Sequence, residues 1–286
     1  MKRIIVVLAA SLMALVTALS LVACKIEQPQ EPANNEAPIE QKTEKKDDAA
    51  FALWQTANQY SEEANALAFF MDFEMDMRSE SSPTPIAISM SGPVSMINTS
   101  DPNKLEMALD LQMDMLGQEL PMQAWYRDGY YYFDMLGMKA KQSMSGEEAI
   151  QQNNAELLSF TENAIKEQSI TDTADGGKKL SFLLDGAKMT ALARDSMSMG
   201  GQGDVDPSML SIKMDDVEVT VTLDKDGKLA ECTYTFSASI ADADAGETIS
   251  MECTTSMNNI TSEDVEIVFP DDLESYQETP AAIKTT

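Results

Sequence analysis

The sequence predicts an α+β domain in which about eight to ten antiparallel strands form one sheet, covered on one face by about three helices. Three observations carry that expectation. Long runs alternate apolar and polar residues with period two, as in Phe69 to Arg78 and Lys104 to Met115, the mark of strands with one buried and one wet face. Asp-Gly and Gly-Gly pairs stand between such runs, where antiparallel hairpins need turns. Three further segments space their apolar residues at helical intervals between the strand runs, which gives an antiparallel sheet with helices on one side.

The 286-residue chain opens with Lys2 and Arg3, followed by an uncharged apolar run from Ile4 to about Val22. A basic start and a short apolar segment ending in small residues predict a secretory signal peptide over residues 1–23 and not a spanning helix. Leu21-Val22-Ala23-Cys24 resembles the lipobox of bacterial lipoproteins. That resemblance implies that Cys24 becomes the first residue of the mature chain and carries acyl groups, two of which suffice for stable anchoring. It places the protein on the extracytoplasmic face of the cell membrane. With Cys24, residues 24–48 form the anchor and tether: Lys25 to Asp48 is rich in Glu, Gln, Pro, Asn and Lys and cannot bury enough surface to order itself. Such a coil would hold the domain about 25–30 Å from its anchor. A single domain is expected over 49–275, long enough for one core, with a flexible tail over 276–286.

Within the domain, Phe51, Trp54, Ala57 and Ala64 predict a first helix from Ala50 to Asn65. Phe69, Met71, Phe73, Met75 and Met77 then share one face of a strand, and Leu105 to Met115 supplies another of unusual length. Ile86, Ile88 and Met90 begin a strand that Gly92-Pro93 should interrupt with a bulge or bend. Asp128-Gly129 is a type I′ turn signal, so Arg127 should face Tyr130, Trp125 should face Tyr132 and Met122 should face Met135. Ser145 and Glu148 open a second helix, expected to continue through Leu157, Leu158, Phe160 and Ile165 to about Gln168. Gly176-Gly177 separates two short strands, the second with Leu180, Phe182 and Leu184. A third helix from Ala187 to Met197 ends at Gly200-Gly201-Gln202-Gly203, read as a surface loop. The rest is a meander: Val217 to Leu223, a turn at Asp226-Gly227, Cys232 to Ile240, Ile249 to Met257, and a last strand of Val265, Ile267 and Phe269.

Charge narrows the function. There are 20 basic and 48 acidic residues, net −28, and without Lys2 and Arg3 the balance is 18 against 48, or −30. That argues against nucleic acid as a partner, which needs a basic footprint, and against direct adhesion to anionic lipid. The chain has no histidine, which removes Ser-His-Asp and Cys-His catalysis together with the usual zinc chemistry. With no Ser-x-x-Lys, Walker loop or Gly-x-Gly-x-x-Gly either, a non-enzymatic protein without cofactor or metal is expected.

The 21 methionines are the most informative constellation, because many fall on inward strand positions. An unbranched, polarizable side chain suits either an adaptable core or a surface that accepts varied apolar partners. A Cu(I) site is the sharper alternative, as thioethers suit soft metals, but the methionines are spread through strands instead of clustered. Cys232 and Cys253 form the other pair. If the loop at Ala241–Asp244 has four residues, Ile240 faces Ala245 and the two cysteines lie directly opposite, close enough for a disulfide in a secreted protein; two reduced buried thiols are the alternative. The acidic loops Asp204-Val205-Asp206, Asp224-Lys225-Asp226-Gly227 and Asp242-Ala243-Asp244 with Glu247 could supply oxygen ligands to Ca²⁺, yet none completes an EF-hand loop, and turn chemistry accounts for them.

The order helix, long strands, helix, strands, helix, strands resembles the lipid-carrier fold of LolA- and LppX-type lipoproteins, and more specifically Gram-positive surface lipoproteins of that kind. The stretch Trp125 to Lys141, opening Trp125-Tyr126-Arg127-Asp128-Gly129-Tyr130-Tyr131-Tyr132-Phe133, is similar to their shared hairpin. The resemblance implies a strongly curved antiparallel sheet wrapped around helices, with an apolar cavity for a lipid or another apolar small molecule. Its candidate lining is Phe69, Met71, Phe73, Met75, Met107, Leu109, Leu111, Met113, Met122, Phe133, Met135, Tyr234 and Phe236. The alternative is a structural or interaction module with a filled core that presents Trp125 and Tyr132 to other surface proteins.

Overall fold

The computed structural model describes residues 49–153, 160–199, 210–242 and 247–278. The expected signal peptide, Cys24, the tether, Leu157, Leu158, Gly200–Gly203, Asp204–Asp206 and the loop residues Ala243 and Asp244 lie outside them. In chain order the elements are α1 (Ala49–Glu63), β1 (Ala66–Ser79), β2 (Ser82–Ile97), β3 (Glu106–Met115), β4 (Gln118–Arg127), β5 (Tyr130–Met135) and β6 (Met138–Ser143). Then come α2 (Gly146–Asn153), β7 (Ile165–Asp172), β8 (Lys178–Leu184), α3 (Gly186–Met199), β9 (Leu210–Met214), β10 (Val217–Leu223), β11 (Leu229–Asp242), β12 (Glu247–Thr261) and β13 (Gln277–Glu278).

All the strands belong to one curled, unclosed 13-stranded sheet, ordered β13-β6-β5-β4-β3-β2-β1-β12-β11-β10-β8-β7, with β9 beside β11. Every pairing is antiparallel except β13 with β6. The strand count exceeds the expected eight to ten, and β9 and β13, too short for a periodic signal, are among the additional strands. β9 and β10 share one flank of β11: β10 pairs its first half and β9 its second. Thr190 of α3 seals the break between them, its hydroxyl donating to Gly186 O (2.7 Å) and accepting from Met214 N–H (2.9 Å).

The core lies on one face. Helix α1 crosses β7, β8 and β11, burying Ala50, Phe51, Trp54 and Ala57. Trp54 stacks on Phe160 (5.7 Å, 3° between planes), which packs on Phe182 at 5.0 Å. The amide of Phe51 donates to Gln168 Oε1 (3.0 Å), tying the start of α1 to β7. Helix α2 opens with the reciprocal cap its sequence predicts: Glu148 accepts from Ser145 N–H and Oγ–H (2.9 Å each), and Ser145 Oγ accepts from Glu148 N–H (3.2 Å). The expected continuation to Gln168 is overturned. Glu162–Ala164 form a 3₁₀ turn, and Ile165, Gln168 and Ile170 belong to β7, opposite Leu184, Phe182 and Leu180. An irregularity in that ladder between Ile165 and Glu167 offsets the period-two pattern, so the run counted as a helical stripe.

The hairpins test register directly. In β4–β5, Arg127 pairs with Tyr130, Trp125 with Tyr132 and Met122 with Met135, as the Asp-Gly turn predicts. Asp128 (φ 51°) and Gly129 (φ 79°) occupy the left-handed positions of that turn. Gly92-Pro93 behaves differently from expectation. Strand β2 runs through it with unshifted pairing to β1, Met71 opposite Gly92 and Phe70 opposite Pro93; only the ladder to β3 is interrupted, between Ser91↔Gln112 and Val94↔Leu109. Gly92 is required there, because its φ is +154° and a Cβ would lie 2.0 Å from Asp110 O of β3.

The expected opposition of Cys232 and Cys253 is also overturned. Ile240 pairs with Ile249, Cys232 with Met257 and Cys253 with Phe236, so the cysteines sit four residues out of register, about 13 Å along the ladder. A shift of four preserves every side chain's face, so alternation cannot distinguish the two registers. Both thiols are free and buried, and burial pushes each up to about 12.

The predicted last strand, Val265 to Phe269, is not a strand either. The segment after β12 reaches the outer face at β4, where Trp125 Nε1–H donates to Val268 O (3.2 Å) and the Arg127 guanidinium lies 4.8 Å over the Phe269 ring. Nor does the tail begin at 276. Tyr276 is buried against Trp125 and Tyr132 at 6.4 and 5.6 Å, and Gln277–Glu278 pair with β6. Residues 279–286 lie outside the described part.

Two outcomes follow. Gly92→Ala should cost about 2 kcal/mol or more in denaturant unfolding, whereas Ser89→Ala, on the exposed face of the same strand, should stay within about 0.5 kcal/mol. In a chain carrying Cys24→Ala, a thiol reagent should find neither cysteine in the native state and both in guanidinium, with or without prior reduction. A 232–253 cross-link in non-reducing peptide maps would contradict the observed register.

Candidate ligand-binding face

The inner face of the sheet is continuous because each register carries one side-chain parity to the next strand. From β1 to β6 that face holds odd residues of β1, β3 and β5 and even residues of β2, β4 and β6. No Asp, Glu, Lys or Arg occupies any of those positions. The charges of these strands, such as Asp72, Glu74, Asp110 and Asp134, all point outward. The polar residues at these positions are Tyr126 and Tyr131, Gln118 and Gln142 and, at the end of β1–β2, Ser79, Ser82 and Thr84. Tyr126 donates its hydroxyl to Met144 O at 3.1 Å, and burial pushes the Tyr131 phenol up to about 12.

Every residue expected to line a cavity lies on this face, but in two environments. Phe69, Phe73, Met75, Met107 and Leu111 are buried in the core, as are Tyr234 and Phe236 at the far side. Burial raises the Tyr234 phenol well above its ordinary range, and its hydroxyl bonds with Cys232. Met71, Leu109, Met113, Met122, Phe133 and Met135 are half-buried. Met122, Met135 and Met138 face one another across β4, β5 and β6; the first two are half-buried and Met138 is 60% exposed. The β8–β12 side of the face, where α1 packs, is filled, while the β3–β6 side is a partly open methionine shelf.

Trp125 and Tyr132, the pair expected to face a partner, are instead engaged by the chain's own Tyr276 and, for Trp125, by Val268. The Asp224 loop is a turn closed on itself, with Asp224 Oδ1 accepting from Asp226 N–H (2.9 Å) and Lys228 N–H (2.8 Å). No group of three or more His, Cys, Asp or Glu side chains that could hold a metal occurs among the described residues.

Two pockets beside α1 have no counterpart in the sequence reading. One of about 350 Å³ runs along Phe51, Trp54, Asn58 and Phe160. The other, about 270 Å³, lies where Tyr60, Lys228 and Glu263 meet. There the Lys228 ammonium contacts Glu263 at 2.7 Å and lies 5.2 Å from the Tyr60 ring centre. The Glu263 hydrogen bond raises the lysine's pKa, and the lysine lowers that of Glu263. These contacts join residues more than 30 positions apart, so no local pattern announces them.

No family model and no curated protein matches the chain. Among solved structures it is similar to the YwiB protein of Bacillus subtilis, at 6% identity over 69% of this chain and 96% of that one, with a TM-score of 0.19. It is also similar to a DUF1329 family protein from Desulfovibrio piger, at 6% identity over 78% of this chain and 94% of that one, with a TM-score of 0.23.

Proposed function

We propose that the protein is a non-enzymatic lipoprotein, anchored through Cys24 on the extracytoplasmic face of the membrane, that holds a lipid or another apolar ligand against its inner sheet face. On this reading the fold is of the LolA/LppX kind, a curled sheet with helices on its inner side. The observation that carries it is the methionine shelf: an apolar face without one Asp, Glu, Lys or Arg, left half-open at Met122, Met135 and Met138. Such a surface offers adaptable dispersion contact and no ion pair, so it suits hydrocarbon better than a charged metabolite. The engagement of Trp125 and Tyr132 by Tyr276 weighs against the interaction-module alternative.

Native mass spectrometry of the protein purified from cells should find a co-purifying or titratable lipid, and an apo mass with no uptake would remove the ligand. Met135→Glu should reduce uptake at least tenfold, because an uncompensated carboxylate on an apolar site costs more than about 1.4 kcal/mol. Since Met135 is half-buried, stability should fall by no more than about 1 kcal/mol. The anchor is tested separately. Cys24→Ala should move the protein out of the lipid-modified fraction in detergent partitioning, and unaltered partitioning would sink that part of the reading.

A further inference from the structure

Strands β3–β4 and β5–β6 are joined by the same four residues, Asp-Met-Leu-Gly: Asp114-Met115-Leu116-Gly117 and Asp134-Met135-Leu136-Gly137. The two turns fold alike. Leu116 and Gly117 have φ of 57° and 76°, Leu136 and Gly137 of 55° and 76°. In each, the aspartate Oδ1 accepts the glycine N–H, at 2.9 Å in the first and 3.1 Å in the second. Two-residue turns with both φ positive favour Asn, Asp or Gly at the first position, because a bulky side chain is strained there. The same sheet uses that ordinary solution at Asp128-Gly129. Leucine at both tips is therefore a local cost, and neither leucine recovers it by packing. Leu116 is 67% exposed and Leu136 60%.

Both tips lie at one end of the sheet. Met135 is level with Met122, and the β3–β4 turn stands four residues further along, at Met115↔Gln118. Two strand spacings and that step put the leucines about 16 Å apart on one oblique rim. Met138, 60% exposed, and Met115, 37% exposed, flank them and continue into the methionine shelf.

We propose that the two Asp-Met-Leu-Gly tips insert Leu116 and Leu136 into the interfacial layer of a phospholipid bilayer. Four side chains on two separated tips offer far less than the roughly 800 Å² per partner of a stable protein interface. Shallow insertion of isolated apolar side chains needs no such area, only a surface that takes them up. The net charge of −28 selects zwitterionic over anionic lipid. The inference stands on the hairpin tips and requires neither the ligand nor the anchor.

The test uses the full chain with phosphatidylcholine vesicles in excess. An environment-sensitive fluorophore is attached at Leu116→Cys, at Leu136→Cys and at Asn103→Cys, an exposed position in the loop between β2 and β3 at the opposite end of the sheet. Labelling of the unsubstituted chain is subtracted. The two tip probes should shift to shorter wavelength and lose about half their emission to nitroxide-labelled lipid, as expected for groups 5–10 Å into the interface, while the Asn103 probe should not respond. Equal response at all three positions, or none at the tips, overturns the proposal. A tip shift that appears without vesicles and grows with protein concentration would assign the rim to a second copy instead. In parallel, Leu116→Asn with Leu136→Asn should raise the denaturant midpoint, since asparagine suits the turn. A fall would show that the leucines serve the fold.

Discussion

Along most of its length each strand pair in this protein hands the same side-chain parity to its neighbour, and the core depends on that handover. One-residue irregularities occur only near the ends of the β1–β12, β10–β11 and β7–β8 ladders. Met71 passes the parity to Gly92 on one side and to Met257 on the other. On that second side the chain of pairs runs on through Cys232, Val221 and Leu180 to Ile170 of β7, while on the first side the same face extends to Met138 of β6. A one-residue slip anywhere would turn a row of methionines outward and a row of carboxylates inward. The helices follow from this face. Helix α1 packs on it because Phe51 and Trp54 find Phe160 and Phe182 there. The outer face, rich in Ser, Thr and acidic residues, holds the segment after β12 where Trp125 and Tyr132 supply aromatic surface, with Arg127 and β6 beside them.

Coverage of that face is unequal. Helix α1 packs over β7, β8 and β11, and on this side Leu180, Val221 and Tyr234 are 0% exposed. Over β4 to β6 the rows hold smaller or more flexible groups, and Met122, Met135 and Ala140 remain half-covered. A close-packed interior rejects guests, whereas a partly covered row of flexible thioethers can rearrange around one. The functional reading rests on this contrast within one sheet.

Strand parity was legible because alternation is local: the inward sets of β1, β3, β4, β5, β10 and β11 could be read residue by residue. The β4–β5 register was legible because Asp128-Gly129 admits one turn geometry. The β11–β12 register was not, since Ala-Asp-Ala-Asp-Ala-Gly accepts several turn placements that differ by an even shift. The run from Phe160 to Gln168 misled because a bulge disturbed its period. The fate of Val265 to Phe269 depended on Trp125 and Arg127, more than 130 positions away, and nothing local records such a contact. For the candidate site, the parity of the lining was visible but its coverage was not, because exposure depends on where helices pack. The Tyr60–Lys228–Glu263 pocket was invisible for the same reason.

The pairing of β1 with β12 also sets the order of assembly. It joins Met71 to Met257, 186 positions apart, whereas β1 to β6 form a meander whose neighbours are close in sequence. Contacts between distant residues carry a larger loop-closure cost and slow the search for the native state. The amino-terminal meander can pair early, but its inner face stays unroofed until α1 finds β7, β8 and β11. The sheet gains its last strand, β13, only from the chain's end. Until then the apolar side of a nearly complete half-sheet faces water, and the fold carries its greatest exposure to self-association at that stage.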